Sequence, residues 1–460
     1  MRGGPGAPIA ILAAMVPEPV PASSRRASAA LLARLGLVAL LSSACSKASD
    51  EKPPPRPGDP APAVTPPATA EQPPAREQWY RMALAPSDLP EIPLFLQLPP
   101  RGSDARGKVV SGAQETELDV AWAGDKVTLT VPIMHASVVA TAGADGALAG
   151  TWEVDSKSWG QSSMPFKAVP IAEPAPETRF DEAMLPGAPI DLGENRTVWR
   201  ASFSESNVAK VVLQQVKPGV FEATAFFSTG NTVFLAGNGR GRQILMSSLV
   251  GFSINLFRGE LDSDSKTLRG TWISGPTLAW REKFEATRVP DFEVEVAVKR
   301  KGKGDILSMP QLKSYAGKPL IVEVGGSWCD ACKHAATALR DVYASHHASG
   351  LEIVSLSYEF TDDSAYNAQQ AAAFKKEYSI PWEVVPVDGG AERAWEIIPP
   401  GVEEVDASGF PLTFFVNRDG SVHAMHVSFA GPEAPEEHRR DVEEYRKGAA
   451  AIVEAKGASR

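Results

Sequence analysis

The sequence predicts a multidomain chain in which two antiparallel β modules precede an α/β domain. Three observations carry this reading. A set of landmarks recurs at one fixed offset, the repeated region is built of short period-two segments, and β and α patterns alternate beyond it. The alternation is organised around Gly325-Gly326-Ser327-Trp328-Cys329-Asp330-Ala331-Cys332-Lys333.

The chain has 460 residues and a net charge of −10. That length can bury several cores, and the acidic balance argues against nucleic acid as a partner. The predicted organisation is a signal segment at 1–45, a spacer at 46–76, β modules at 77–172 and 178–292, and the α/β domain at 304–457.

In the first segment Arg25 and Arg26 precede an apolar stretch, Ala29 to Leu41, broken only by Arg34 and followed by Ser42-Ser43-Ala44-Cys45. So short a run does not span a bilayer as a helix. The segment resembles a bacterial lipoprotein signal, which implies acylation of Cys45 and attachment to a membrane through that N-terminal lipid. It departs from the pattern at Ser42, where a leucine-like residue is usual, with Leu41 one place further back. A plain signal peptide or an uncleaved anchor are the alternatives. An unpaired exposed thiol in an oxidising compartment is a liability, and this favours acylation. Residues 46–76 are dominated by Pro, Ala and charge, a composition that buries no core and reads as a disordered spacer.

Trp79 and Trp199 are 120 positions apart, as are Gly150-Thr151-Trp152 and Gly270-Thr271-Trp272, and Val169-Pro170 and Val289-Pro290. Two Trp pairs at one offset indicate a duplicated unit. Alternating runs such as Lys126 to Val131 and Val220 to Phe227, with turn signals at Ala144-Asp145-Gly146 and Gly237-Asn238-Gly239, predict small antiparallel sandwiches or open barrels. No ligand-spaced cluster of His, Asp and Glu occurs in either copy. His135 is read as a packed or surface histidine, and the modules as a scaffold or docking unit.

Beyond the charged joint at Lys299 to Gly304, the run Pro319 to Val324 predicts a buried strand and is followed by a helix to about Ser345. A strand over Leu351–Ser357, a helix over about Ala365–Tyr378, an extended Trp382–Val387 and a short helix near Arg393–Ile397 come next. A hairpin of Pro411–Val416 with Ser421–Val427 and a helix over about Pro435–Ala455 end the domain.

Strand, glycine loop and helix place Cys329 at a helix N-terminus, where unpaired N–H groups and the helix dipole favour an anion. Such positions lower a thiol pKa from about 8.5 toward 3.5–7.5 and favour the reactive thiolate. Cys329 is therefore the predicted nucleophile. Cys332, one turn on, is placed to resolve a mixed disulfide at Cys329. The chemistry requires one of the two sulfurs to be exposed enough to meet another protein.

Residues of about 305 to 456 resemble the thioredoxin superfamily, and within it the TlpA/ResA-like envelope thiol–disulfide oxidoreductases. Gly317-Lys318-Pro319, Trp328-Cys329 with Cys332-Lys333, and Gly409-Phe410-Pro411 through Val416 with Asp419-Gly420 carry the resemblance. It implies a thioredoxin-like fold after the two β modules, and a region like the second module precedes the thioredoxin domain in many TlpA-like proteins. It also implies a redox disulfide between Cys329 and Cys332, a cis peptide at Pro411, and a substrate groove shaped by Trp328, Phe410 and Pro411. The implied partners are a disulfide-bearing protein substrate and a thiol electron-donor protein, with no bound cofactor.

Glu323, six residues before Cys329, stands where thioredoxins carry a buried acid that accepts the proton of the second cysteine. The alternative is a carboxylate that reaches solvent or a lysine at the strand end. Asp330 beside Cys329 is expected to disfavour its thiolate, which suggests a moderately reducing couple. His334, His346 and His347 are read as surface residues. A zinc site lacks a second Cys-x-x-Cys, and a peroxiredoxin-type cysteine would follow a threonine where Gly326 stands. The remaining alternative to an oxidoreductase is an envelope binding or scaffold lipoprotein whose β modules bind a partner.

Overall fold

In the computed structural model, residues 77–294, 307 and 309–455 are described, except 132–133, 157–159, 204–206, 360, 362 and 388–408. The predicted signal segment with Cys45, the spacer, the joint at 299–304 and the short helix near Arg393 lie outside the described residues. No helix among the described residues is long and apolar enough to cross a membrane.

The first module comprises β1 (Gln78–Leu84), β2 (Ile92–Leu98), β3 (Gly107–Ser111), β4 (Gln114–Ala123), β5 (Lys126–Val131), β6 (Ala136–Ala142), β7 (Leu148–Ser156) and β8 (Gly160–Ile171). Each strand pairs with the next and β8 returns to β1, so the sheet closes. The second module repeats this with β9 (Arg196–Ser202), β10 (Val208–Lys217), β11 (Val220–Phe227), β12 (Thr232–Arg240), β13 (Gln243–Val250), β14 (Ser253–Leu261), β15 (Thr267–Gly275) and β16 (Trp280–Val289). There β16 closes on β9. Both modules are thus closed barrels rather than sandwiches or open barrels, and closure removes the unpaired edges that an open sheet would expose.

The 120-residue repeat is real in part. Trp152 on β7 and Trp272 on β15 both point into their barrels. On the same strands Gly150 and Gly270 leave no room for a Cβ against the neighbouring strand, which explains a glycine at both places. Trp79 and Trp199, however, are not equivalent. In β1 the inward residues are Tyr80, Met82 and Leu84, whereas in β9 they include Trp199 and Ala201. A one-residue slip exchanges the two faces of a strand, so Trp199 is core and Trp79 is half-exposed.

Strands β13 to β15 are buried on both sides. Ile244, Met246, Phe257 and Trp272 fill the second barrel, while Leu245, Leu249, Ile254, Leu256 and Ile273 point outward into the core cluster of the first. This two-sided burial is why Ile244-Leu245-Met246 is continuously apolar. Arg179, in the connection between the barrels, is buried there. It donates to the carbonyls of Val110 at 3.2 Å and Ser247 at 3.4 Å, and lies 5.0 Å from the Phe95 ring centre.

The third domain holds a five-stranded sheet in the order β19-β18-β17-β20-β21. Its strands are β17 (Leu320–Gly325), β18 (Glu352–Tyr358), β19 (Glu383–Val387), β20 (Leu412–Val416) and β21 (Val422–Val427). Its helices are α1 (Asp330–His346), α2 (Ser364–Glu377) and α3 (Pro435–Glu454). Strands β17, β18 and β19 are parallel, and β20 runs against β17. Successive right-handed crossovers in one direction put α1 and α2 on one face, and α3 joins them around Ile321, Ile353 and Phe415. Leu307, Met309, Leu312 and Tyr315 cover the other face, with Phe252 of the second barrel packed against the same cluster.

Candidate active site

Strand β17 is buried along its whole length, ends in Gly325 and is followed by Gly326. Both glycines are required by crowding. A Cβ on Gly325 would lie 2.5 Å from the Cys332 sulfur, and the space beside Gly326 is taken by the Trp328 ring and the Tyr358 carbonyl. The Trp328 indole N–H donates to that carbonyl at 2.6 Å and fixes the residue before Cys329.

Helix α1 starts one residue after Cys329, which serves as its N-cap. The Cys329 sulfur accepts the Cys332 backbone N–H at 3.1 Å. The two cysteines are joined as a disulfide, with Cα atoms 5.1 Å apart. A sulfur in this position faces the free N–H groups and the positive end of the helix, which stabilise a thiolate once the pair is reduced.

Exposure differs from the expectation. Cys329 is 5% exposed and Cys332 1% exposed, so the predicted nucleophile is not open to solvent. The residue before Cys329 is packed over from the second barrel. Phe252, in the β13–β14 turn, meets Trp328 edge to face with ring centres 5.7 Å apart, and Trp328 meets Phe410 in the same way at 5.3 Å. The Phe410–Pro411 peptide is cis, and the Pro411 carbonyl accepts the Ser428 N–H at 2.8 Å. Trp328, Phe410 and the two cysteines belong to one apolar cluster.

Glu323 is 2% exposed on the helix-covered face of β17, one pleat before Gly325 and hence before the Cys332 sulfur. Ser355 donates to its Oε2 at 2.6 Å, and Trp382 in turn donates to Ser355 at 2.9 Å. Its Oε1 has no hydrogen-bond partner among the described residues. Burial pushes its pKa up to about 7, against the smaller opposing pull of Ser355. Among the described residues the carboxylate is thus closed off from solvent and pairs with no lysine.

Three features of the site were not assigned from sequence. Glu359, just beyond β18, accepts the Ser327 N–H at 3.0 Å and the Ser327 and Ser357 hydroxyls at 2.8 Å each. An acid closing an apolar strand was its only sequence signal. Asp330 does not act alone, because Lys333 pairs with it at 2.7 Å. Burial alone would pull the Lys333 pKa down, but Asp330 outweighs it and the pKa rises. This spacing of three residues within a helix was legible and places the cation beside the anion. A polar cleft with Glu359 and Lys333 on its wall runs between the first barrel and α2.

His334 is not a surface residue. It is three-quarters buried, 3.4 Å from Gln114 of the first barrel and 4.0 Å from Glu433, and burial pulls its pKa down. His347 is exposed and His346 half-exposed, while His135 is exposed in a left-handed turn at φ 48°. Among the described residues no three His, Cys, Asp or Glu side chains converge as a metal centre.

Residues 286–425 match the AhpC/TSA family. The chain is similar to the thiol-disulfide oxidoreductase ResA of Bacillus thuringiensis subsp. konkukian, with 26% identity over 24% of this chain and 56% of that one. It is also similar to the thiol:disulfide interchange protein DsbE of Escherichia coli K12, with 27% identity over 29% of this chain and 63% of that one. The chain thus spans little more than half the length of these relatives. A solved thiol:disulfide interchange protein of the thioredoxin family from Chlorobium tepidum aligns with TM-score 0.23 and 16% identity, over 36% of this chain and 99% of that one. It is over the C-terminal domain that the chain is similar to these thiol–disulfide oxidoreductases and interchange proteins.

Proposed function

We propose that this chain, with its TlpA/ResA-like C-terminal domain, is a membrane-tethered extracytoplasmic thiol–disulfide oxidoreductase that reduces protein disulfides. The observation that carries the reading is the Cys329–Cys332 disulfide at the N-terminus of α1, in one cluster with Phe410, the residue before cis-Pro411.

In the reduced protein the Cys329 thiolate attacks one sulfur of the partner's disulfide. A Cys329–partner disulfide forms, the partner's own bond breaks, and its second sulfur leaves as a thiolate that takes up a proton. Cys332 then gives up its proton to Glu323 and attacks the Cys329 sulfur. This closes the Cys329–Cys332 disulfide and releases the partner as a dithiol, two electrons having passed to it. A thiol electron-donor protein reverses these steps on the enzyme, and no cofactor is used. Glu323 suits its role because a carboxyl with a pKa of about 7 exchanges protons near neutral pH. Trp328, Phe410 and Pro411 would line the groove for an extended partner segment.

The envelope location, on the periplasmic face of a bacterial membrane, rests on the segment ending at Cys45. Replacing Cys45 by alanine should abolish incorporation of labelled palmitate. The catalytic reading is tested by insulin reduction with dithiothreitol as donor. Wild-type activity that disappears in Cys329→Ser supports it, whereas an inactive wild type favours the binding or scaffold protein. Cys332→Ala should accumulate mixed disulfides through Cys329 and so identify the partners.

A further inference from the structure

The second barrel does more than precede the catalytic domain. Its β11–β12 turn brings the Gly230 backbone against Gly409, two residues before cis-Pro411, so closely that a Cβ on Gly409 has no room. One residue past that turn's tip, the Thr232 hydroxyl lies 2.5 Å from the Ser428 hydroxyl, and Ser428 is the residue whose N–H holds the Pro411 carbonyl. From the β13–β14 turn, Phe252 sits on Trp328. The same barrel is held to α3 by charge. Glu437 lies 2.7 Å from Lys210 and 2.8 Å from Arg196, and Lys210 is only 2% exposed.

We propose that residues 228–232 and Phe252 of the second barrel are the specificity element of the reaction, occupying the groove beside cis-Pro411 and admitting to Cys329 only protein disulfides that displace them. The inference rests on the oxidoreductase reading. An extended partner segment needs the main chain next to Pro411, and two segments cannot occupy one groove. With main chain already against main chain at Gly409, a partner gains access only as this turn withdraws. The barrel therefore lowers the apparent affinity for every protein substrate by the fraction of time it stays seated. A partner that also grips the barrel recovers part of that loss. A small disulfide needs no groove and is much less affected.

The test compares the reduced full chain with its Phe252→Ala/Thr232→Ala variant on two substrates, insulin and 5,5′-dithiobis(2-nitrobenzoate). The variant is expected to reduce insulin about tenfold faster, while its rate with the small disulfide changes by less than roughly twofold. Equal insulin rates would overturn the proposal. So would a parallel rise with both substrates, because that would mean altered thiol reactivity rather than access. If neither form reduced either disulfide, the oxidoreductase reading itself would fall, a result distinct from the other two. A second variant, Glu437→Gln, loosens the ionic contact from the catalytic domain and leaves the barrel unchanged. It should raise the insulin rate in the same direction, and no rise there with an unaltered melting temperature would count against the proposal.

Discussion

Glu359 holds Ser327 at two points, accepting its backbone N–H at 3.0 Å and its hydroxyl at 2.8 Å. With the Ser357 hydroxyl added, three donors converge on one carboxylate that is buried at the end of β18. The loop that presents Cys329 is thus tied from the neighbouring strand. Burial pushes the Glu359 pKa up, and the three donors oppose that push without overcoming it. Removing the carboxyl leaves the Ser327 N–H without its acceptor in a partly buried place. Glu359→Ala is therefore expected to cost about 1–3 kcal/mol of stability and to slow alkylation of Cys329 in the reduced chain. Urea denaturation and iodoacetamide kinetics measure the two effects, and wild-type values in both would remove Glu359 from the site.

What was legible in the sequence was what a short stretch of chain decides. The strand before the motif, α1, the 417–420 hairpin turn and α3 follow from local periodicity and turn residues, and they stand within a residue or two of their expected bounds. Closure of the barrels was not legible, since pairing of β8 with β1 leaves no local mark. The inequivalence of Trp79 and Trp199 was hidden for a related reason. An offset in sequence carries no information about a one-residue change of register. The clasp of Ser327 by Glu359 joins positions 32 apart, and the approach of Gly230 to Gly409 joins two different domains. No period or motif encodes either. The mispredicted exposure of Cys329 has a related source, because Phe252, packed on the neighbouring Trp328, comes from another domain.

The raised pKa of Glu323 has a consequence for stability that can be worked out in sign. Between the ordinary value of 4.5 and the folded value of about 7, the folded chain retains a proton that the unfolded chain has lost. Stability is therefore greatest below that window and falls as pH rises through it, by roughly 3 kcal/mol for this group alone. Glu323→Gln cannot ionise. The oxidised variant should lose less stability than wild type between about pH 5 and about pH 8, as read from melting temperatures. A wild-type pH profile in the variant would show that Glu323 is not the group that titrates. If it accepts the Cys332 proton, the same variant also releases trapped partners more slowly at neutral pH.

Gly325 lies beneath the Cys332 sulfur, and a Cβ there would come within 2.5 Å of it. Neither side can yield easily, because β17 is buried throughout and Cys332 is held at the start of α1. Gly325→Ala is expected to cost about 1–3 kcal/mol through overpacking. The measurement is urea denaturation of the oxidised chain. An unchanged midpoint would mean that the helix shifts away without cost.

Lys333 decides whether Asp330 is a burden to a thiolate at Cys329. The pair is 2.7 Å apart with both side chains largely covered, so the carboxylate next to Cys329 is compensated by its own helix. Neutralising the lysine while keeping its aliphatic stem, as in Lys333→Met, leaves an uncompensated anion within the first turn. That anion opposes the thiolate which the helix N-terminus favours, and nearby charges of this kind move a pKa by about 1–3 units. The Cys329 thiolate in the reduced variant should therefore form at higher pH than in wild type. The pH dependence of alkylation reads this directly, with the midpoint displaced upward and the plateau rate at alkaline pH preserved. Salt should reduce the displacement only partly, because the largely covered Asp330 carboxylate is screened less than a charge in water. A variant with the wild-type midpoint would show that Asp330 does not reach the sulfur electrostatically. The helix terminus alone would then set the reactivity of the pair.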